Sequence, residues 1–375
     1  MEKEYSSVIK KIVKFISLLI FLYFFLLSIS LLSASFKIFG KQFAEELIRT
    51  TANPFVGLFI GILATSIIQS SSTTTSMVVC LVAAGSLTIR NAIPIVMGAN
   101  IGTTVTNTLV AIGHMPRKEE FRRAFSGSTI HDLFNIICVI ILFPIELSTR
   151  YLERTASFLA NKVSHIGSVE ITSPIKVIVK PGVHLIKGFF VDFLSIPVKI
   201  SGVLMLIFAI FLLFFSLIYI VKITRSSVIK RSELIFNKIL GKTGLIALIM
   251  GCLFTAIVQS SSITTSLLVP MVASGIVNIE QTFPIVLGAN LGTTVTAILA
   301  ALTGNIAALT IAFAHLIFNV TGIIIIYPIK AIRNIPLRIA KFLGEKSAER
   351  RIFAIIYVLV VFFLIPGILI FLSRG

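Results

Sequence analysis

Gln69-Ser70-Ser71-Ser72 stands inside an apolar stretch, and 190 residues later Gln259-Ser260-Ser261-Ser262 stands inside another. Each knot offers hydroxyls, an amide and the start of a helix. A helix beginning after the knot presents unpaired backbone N–H groups and the positive end of its dipole, which is the chemistry of an anion site. Two such ends can clasp a tetrahedral oxyanion from opposite sides, with Ser and Thr hydroxyls as added donors. Gln69, Ser70, Ser71, Ser72 and Thr73, with Gln259, Ser260, Ser261 and Ser262, are therefore read as the anion site. The half-helix ending before each knot leaves carbonyls unpaired. With the oxygens of Gln69, Ser72, Thr74, Thr75, Gln259, Ser262, Thr264 and Thr265 they form a hard ligand set suited to sodium. A neutral shell holds a multiply charged anion only when cations enter with it, so sodium is expected as co-substrate, with no cofactor.

Gly98-Ala99-Asn100 and its twin Gly288-Ala289-Asn290 are expected to let a helix approach a hairpin tip or unwind locally, with Asn100 and Asn290 supplying oxygen. Thr103, Thr104, Thr293 and Thr294 lie beside them. Ligation of sodium, by Thr104 and Thr294 in particular, and back-bonding to the preceding helical turn both remain open for these residues. His131 and His315 have Asn135 and Asn319 one helical turn later, which reads as a packing pair in the span more than a proton relay. Asp132 faces no acid in the second repeat, where Leu316 stands, and is a candidate cation or Arg partner.

Positioning such groups demands membrane-grade chain. Of 375 residues 56% are hydrophobic and 13% charged, with mean hydropathy +1.03, far from the makeup of a soluble domain. The net charge of +18 belongs to basic loops on the cytoplasmic side and not to a nucleic-acid interface, because no basic face interleaved with aromatics occurs. Cys80, Cys138 and Cys252 lie in apolar segments without metal-like spacing and read as small core residues, implying no disulfide. Ser70, Ser71 and Ser72 have no neighbouring base, and no Walker loop, Cys-x-x-Cys or His-Glu-x-x-His motif is present, so enzymatic readings fare worse than transport. A passive anion channel also uses helix ends and hydroxyls at the midplane and stays open as an alternative, as does a carrier of another oxyanion.

Spans are expected at about residues 12–36, 91–112, 124–147, 189–221, 284–303, 307–329 and 352–372. The first is too long for a signal-peptide core and reads as a retained span. Segments 54–88 and 244–278 carry the knots near their middles. Each half is about 15 residues, too short to cross comfortably, so each segment is expected to enter and return as a re-entrant hairpin. That reading places the basic runs Arg117–Arg123, Lys222–Lys242 and Lys330–Arg351 on the cytoplasmic side with the N-terminus, and the connection Thr149–Gly188 and the C-terminus outside.

Residues 61–110 and 251–300 align without a gap at 28 identities in 50, and the match resumes at His131/His315, Asn135/Asn319 and Pro144/Pro328. Each repeat is then a hairpin plus two spans. A single crossing separates the repeats, so they are expected to be inverted, with two half-sites meeting near the midplane. The expected fold is an all-α polytopic membrane protein. Its organisation is an N-terminal span and connection (1–53), repeat 1 (54–148), an external connection and central span (149–243), repeat 2 (244–329), and a cytoplasmic connection with a C-terminal span (330–375). About three spans therefore lie outside the repeats.

The chain resembles the type II sodium-phosphate cotransporter family. The resemblance rests on QSSSTTTS at 69–76, MGANIGTTVTNTLVA at 97–111, EFRRAFSGSTIHDLFN at 120–135, QSSSITTS at 259–266 and LGANLGTTVTAILAAL at 287–302. It implies sodium-driven uptake of inorganic phosphate across a plasma membrane, with the paired knots as the ion and phosphate sites. It also makes Arg122 and Arg123 worth testing in phosphate handling, a cytoplasmic anchor being the plainer reading. Vertebrate members carry a large glycosylated, disulfide-linked external loop, whereas Thr149–Gly188 holds neither Cys nor an Asn-x-Ser/Thr acceptor. They also continue beyond the segment resembling Phe353–Phe371, so tail partners, oligomeric state and sodium stoichiometry do not transfer.

Overall fold

The computed structural model describes residues 2–165, 174–193, 197–239 and 243–373. The side chains of Lys3, Lys10 and Lys11, those of the basic run from residue 224 to 242, and residues 166–173 of the connection Thr149–Gly188 lie outside the described residues. Regular structure among the described residues is helical throughout, and seven helices are long and apolar enough to cross a membrane. The protein is an all-α polytopic membrane protein.

In chain order the helices are α1 (Glu2–Thr50), α2 (Pro54–Ile68), α3 (Ser71–Ala83), α4 (Ile89–Gly102), α5 (Val105–Ile112), α6 (Lys118–Thr149), α7 (Tyr151–His165), α8 (Pro174–Lys187) and α9 (Val198–Ile239). They continue as α10 (Gly244–Val258), α11 (Ser261–Ala273), α12 (Ile279–Ala301), α13 (Ile306–Ile326), α14 (Lys330–Glu349), α15 (Ile352–Leu359) and α16 (Ile365–Leu372). The span expected from residue 189 begins later, at Val198, because Gly188–Phe193 forms a separate π-helical segment. A second one, Val360–Leu364, joins α15 to α16. The four short apolar helices α2, α3, α10 and α11 are 13 or 15 residues long, about 20 Å each at helical rise. That falls short of the roughly 30 Å hydrocarbon core.

Two corresponding helix pairs pack closely, α2 on α4 and α10 on α12. Glycine makes both possible. A Cβ on Gly61 or Gly98 would collide with the Ile95 or Leu58 carbonyl, and one on Gly251 or Gly288 with that of Ile285 or Leu248. In hydrocarbon, where lipid and leucine are equally apolar, such backbone approach is what holds helices together. Gly98 thus brings α4 against the middle of α2, at Leu58 and Ile62, and not against the Gln69 end expected from the sequence. The twins then differ, since α4 ends at Gly102 and α5 restarts at Val105, whereas α12 runs through the equivalent residues unbroken.

Contacts fix where the helix ends lie. Arg351 donates to the Pro116 carbonyl at 3.4 Å, and Gly344 packs on Arg122 and Ser126, so α14 and the start of α6 share one side of the molecule. Lys341 pairs with Glu280 at 2.6 Å and Arg123 lies against Gly275, bringing the α11–α12 turn to that side. The start of α10 joins it, because Gly244 abuts the Tyr327 hydroxyl. The end of α3 lies elsewhere: Asn305, at the start of α13, donates to the Ala83 carbonyl at 3.3 Å. The basic runs Arg117–Arg123 and Lys330–Arg351 are therefore neighbours.

Candidate functional site

Both knots fold identically, for reasons visible in the sequence. Gln69 ends α2 at φ 57°, ψ 27°, and Gln259 ends α10 at φ 59°, ψ 24°. Among the described residues these two and Arg150 alone are non-glycine with positive φ. A left-handed residue closes a helix well, but glycine does so without a Cβ penalty. A glutamine with positive φ stands at the same point of both repeats, where the backbone alone would favour glycine. The following serine reverses the chain. Ser70 and Ser260 are extended N-caps, at φ −150° and −152°, whose Oγ atoms accept from the Thr73 and Ile263 amides. Capping satisfies the third amide of each new helix and leaves those of Ser71, Ser72, Ser261 and Ser262 without an intrahelical acceptor.

The two knots meet. The Ser72 hydroxyl reaches the Gln259 carbonyl at 3.5 Å across 187 residues of sequence. Ser70, Ser72, Thr73, Gln259 and Ser260 line one cleft of about 330 Å³, closed on its other wall by Phe214, Leu217 and Ile218 of α9. Ser71 and Ser261 are buried nearby, at 4% and 3% exposure. The cleft wall drawn from the knots carries no formal charge, so hydroxyls, carbonyls and amides supply its polarity.

Behind the tips the repeats lose their symmetry. Thr255 bonds Thr264 at 2.6 Å, Thr296 donates to Gln259 Oε1 at 2.7 Å, and Thr265 and Ser266 donate to Asn107 Oδ1 at 2.8 and 3.0 Å. Their counterparts 190 residues earlier, Thr65, Thr106, Thr75 and Ser76, have no hydrogen-bond partner for their buried hydroxyl oxygens. Part of the cause is one residue. Asn107 aligns with Ala297, so α5 offers an amide to α11 where α12 offers a methyl group to α3. Asn107 escaped the reading of the sequence, although its departure from an otherwise matched repeat was the signal. Thr74 and Thr264 bond back to the Ser70 and Ser260 carbonyls at 3.1 and 3.2 Å.

Asn100 and Asn290 sit between the repeats. His131 Nε2 bonds Asn290 Oδ1, and His315 Nε2 bonds Asn100 Oδ1 at 3.1 Å, so each repeat's histidine holds the other repeat's asparagine. Asn290 also donates to Asn135 Oδ1 at 2.7 Å, and Asn135 to the Asn100 carbonyl at 2.8 Å. His131 and Asn135 make no bond to each other, although both are buried and both reach Asn290, and in the second repeat Asn319 donates to the His315 carbonyl at 3.0 Å. A turn's spacing allows a bond between His131 and Asn135, but the partner helix offers a better acceptor. Thr103 and Thr104 bond back to α4 carbonyls, and Thr293 and Thr294 to carbonyls of the preceding turn of α12, at 2.6 to 3.0 Å. Such bonds use the hydroxyl proton and leave the oxygen lone pairs.

Asp132 is fully buried and accepts from the Tyr357 hydroxyl at 3.1 Å, with the Thr104 side chain also beside its carboxyl group. Its partner is thus a tyrosine of the last span, where the sequence suggested a cation or an arginine. Tyr357 carried no signal of its own. Arg122 pairs with Glu119 at 3.0 Å, and Arg123 lies at the α11–α12 turn, so both belong to the basic side and not to the knot cleft.

A model of the Na+/Pi-cotransporter family matches residues 24–169 and 212–342, which include both knots and their flanking helices. Sodium-dependent phosphate transport protein 2B of Pongo abelii and of Homo sapiens are each 35% identical over 94% of this chain, and the chain spans 64% of their length. Sodium-dependent phosphate transport protein 2A of Rattus norvegicus is 33% identical over 100% of this chain and 70% of its own. No solved structure matches. With the matched region running through both knots, the chain belongs to the Na+/Pi-cotransporter family.

Proposed function

We propose that the protein is a secondary active transporter of a plasma membrane that couples sodium entry to uptake of inorganic phosphate. The observation that carries this reading is the shared cleft, in which Gln259 and the two capped serine knots from distant parts of the chain come together, each knot following a left-handed glutamine. The relatives' names give the cargo, and the neutral lining gives the coupling, since a phosphate anion in a charge-free shell needs cations beside it. Gln69, Ser70, Ser71, Ser72, Thr73, Gln259, Ser260, Ser261 and Ser262 are assigned to phosphate. Thr74, Thr75, Asn100, Thr104, Thr264, Thr265, Asn290 and Thr294, with Gln69, Ser72, Gln259 and Ser262, are assigned to sodium, and Asp132 is an accessory group for a cation.

The tips reach this depth as re-entrant hairpins. Support comes from Gly244 and Gly275, the outer ends of α10 and α11, which both neighbour the basic side, while Ala83 at the end of α3 neighbours the start of α13. Opposed hairpins of this kind carry alternating access by exposing the shared tips to one side and then the other. Ser71→Ala and Ser261→Ala test the assignment: each should cut phosphate uptake while leaving the protein monodisperse and folded. Normal transport by both variants would make the knots packing devices and place the site elsewhere.

A further inference from the structure

A cavity of about 400 Å³ opens on the basic side, distinct from the knot cleft, and its wall includes Lys330, Arg333, Asn334, Asn278, Glu280 and Tyr327. Its charge is positive. Glu280, the one acid on the wall, is committed to Lys341 at 2.6 Å. Among the described residues neither Lys330 nor Arg333 pairs with a carboxylate. The Arg333 guanidinium is held over the Tyr327 ring, 5.3 Å from its centroid, which fixes its position without neutralising it. Asn278 spends its side-chain oxygen on the Gln281 amide at 2.8 Å, leaving its NH2 as a donor.

The surroundings suit a lipid. From the cavity α14 continues with Ile335, Ile339 and Phe342 exposed one turn apart, while Pro336, Leu337, Ala340, Leu343 and Gly344 are buried beneath them. A helix with one face packed on the protein, an apolar outer stripe and Lys and Arg along it lies at a membrane interface. Basic pockets between helices on the positive side of a membrane protein take anionic headgroups. We infer that the Lys330–Arg333 cavity binds a phosphate-bearing anion, namely the headgroup of an anionic phospholipid whose acyl chains run along the Ile335–Phe342 face of α14.

The test is native mass spectrometry of detergent-purified protein given equal amounts of phosphatidylglycerol and phosphatidylcholine. Wild type should retain phosphatidylglycerol preferentially, and Lys330→Gln/Arg333→Gln should lower that preference roughly tenfold. Arg338→Gln/Lys346→Gln removes the same charge from the same helix outside the cavity and should keep the preference. Equal losses in both double variants would reduce the effect to diffuse surface charge and overturn the site, as would no loss in either. A further arm adds millimolar inorganic phosphate. Retained phosphatidylglycerol confirms a lipid headgroup, whereas displacement that is absent in the Lys330/Arg333 variant identifies a soluble phosphate anion in the same pocket. Gel filtration of both variants checks that each is folded, and because binding is read directly, the outcome is independent of transport.

Discussion

Glycine at position 69 separates what the knot's backbone costs from what its side chain does. Gln69 sits in the left-handed region at φ 57°, where a residue with a Cβ carries strain of about 1–2 kcal/mol. Glycine removes that strain, and its greater freedom in the unfolded chain gives back about 0.5–1 kcal/mol. The Gln69 side chain is exposed, so little apolar burial is lost. Gln69→Gly should therefore be as stable as wild type or up to about 1.5 kcal/mol more stable. Its effect on transport has the opposite sign. A hydrogen bond or ligand contact to an ion is worth about 1.5–3 kcal/mol, so uptake should fall by roughly ten- to a hundredfold. Gln259→Gly gives a contrast, since it also removes the acceptor of Thr296 and should be close to neutral in stability while losing transport. Thermal melts in detergent and sodium-driven phosphate uptake in proteoliposomes read the two effects separately. A Gln69→Gly protein that transports normally, or one that melts well below wild type, would refute the argument that the strained glutamine is kept for its side chain.

Two further changes follow from the packing. Asn107→Ala leaves the buried Thr265 and Ser266 hydroxyls without their shared side-chain acceptor and should cost about 1–3 kcal/mol, seen as a lower melting temperature and recovered by Asn107→Asp more than by Asn107→Leu. Gly98→Ala and Gly288→Ala drive a methyl group into a backbone carbonyl of the facing helix, and both should lower the yield of monodisperse protein; the same change at Gly367, whose Cβ would meet nothing, should not.

Much of the fold was legible because hydrocarbon imposes simple rules. Runs of apolar residues gave the seven spans, and the short halves of 54–88 and 244–278 gave the four short helices, bounded by Gln69-Ser70 and Gln259-Ser260 as expected. The starts of α6 and α14 share a side, as their basic residues require. What escaped lies in contacts between distant segments. Helical spacing puts His131 and Asn135 on one face, but the choice of Asn290 as the partner of His131 depends on how the two repeats dock, which no local pattern encodes. Tyr357 meets Asp132 for the same reason, across 225 residues. The left-handed backbone of Gln69 and Gln259 was also hidden, since that conformation usually announces itself through glycine or asparagine. Asn107 against Ala297 was readable in principle, because a repeat's departures mark where its halves do different work.

Phosphate uptake into proteoliposomes under an inward sodium gradient, compared with choline or potassium replacing sodium on both sides, tests the central claim most directly. The account predicts accumulation of phosphate above the external concentration with sodium, and loss of that accumulation when sodium is replaced or its gradient collapsed. Uptake that proceeds equally in choline, or phosphate that merely equilibrates across the membrane whatever the sodium gradient, would contradict it.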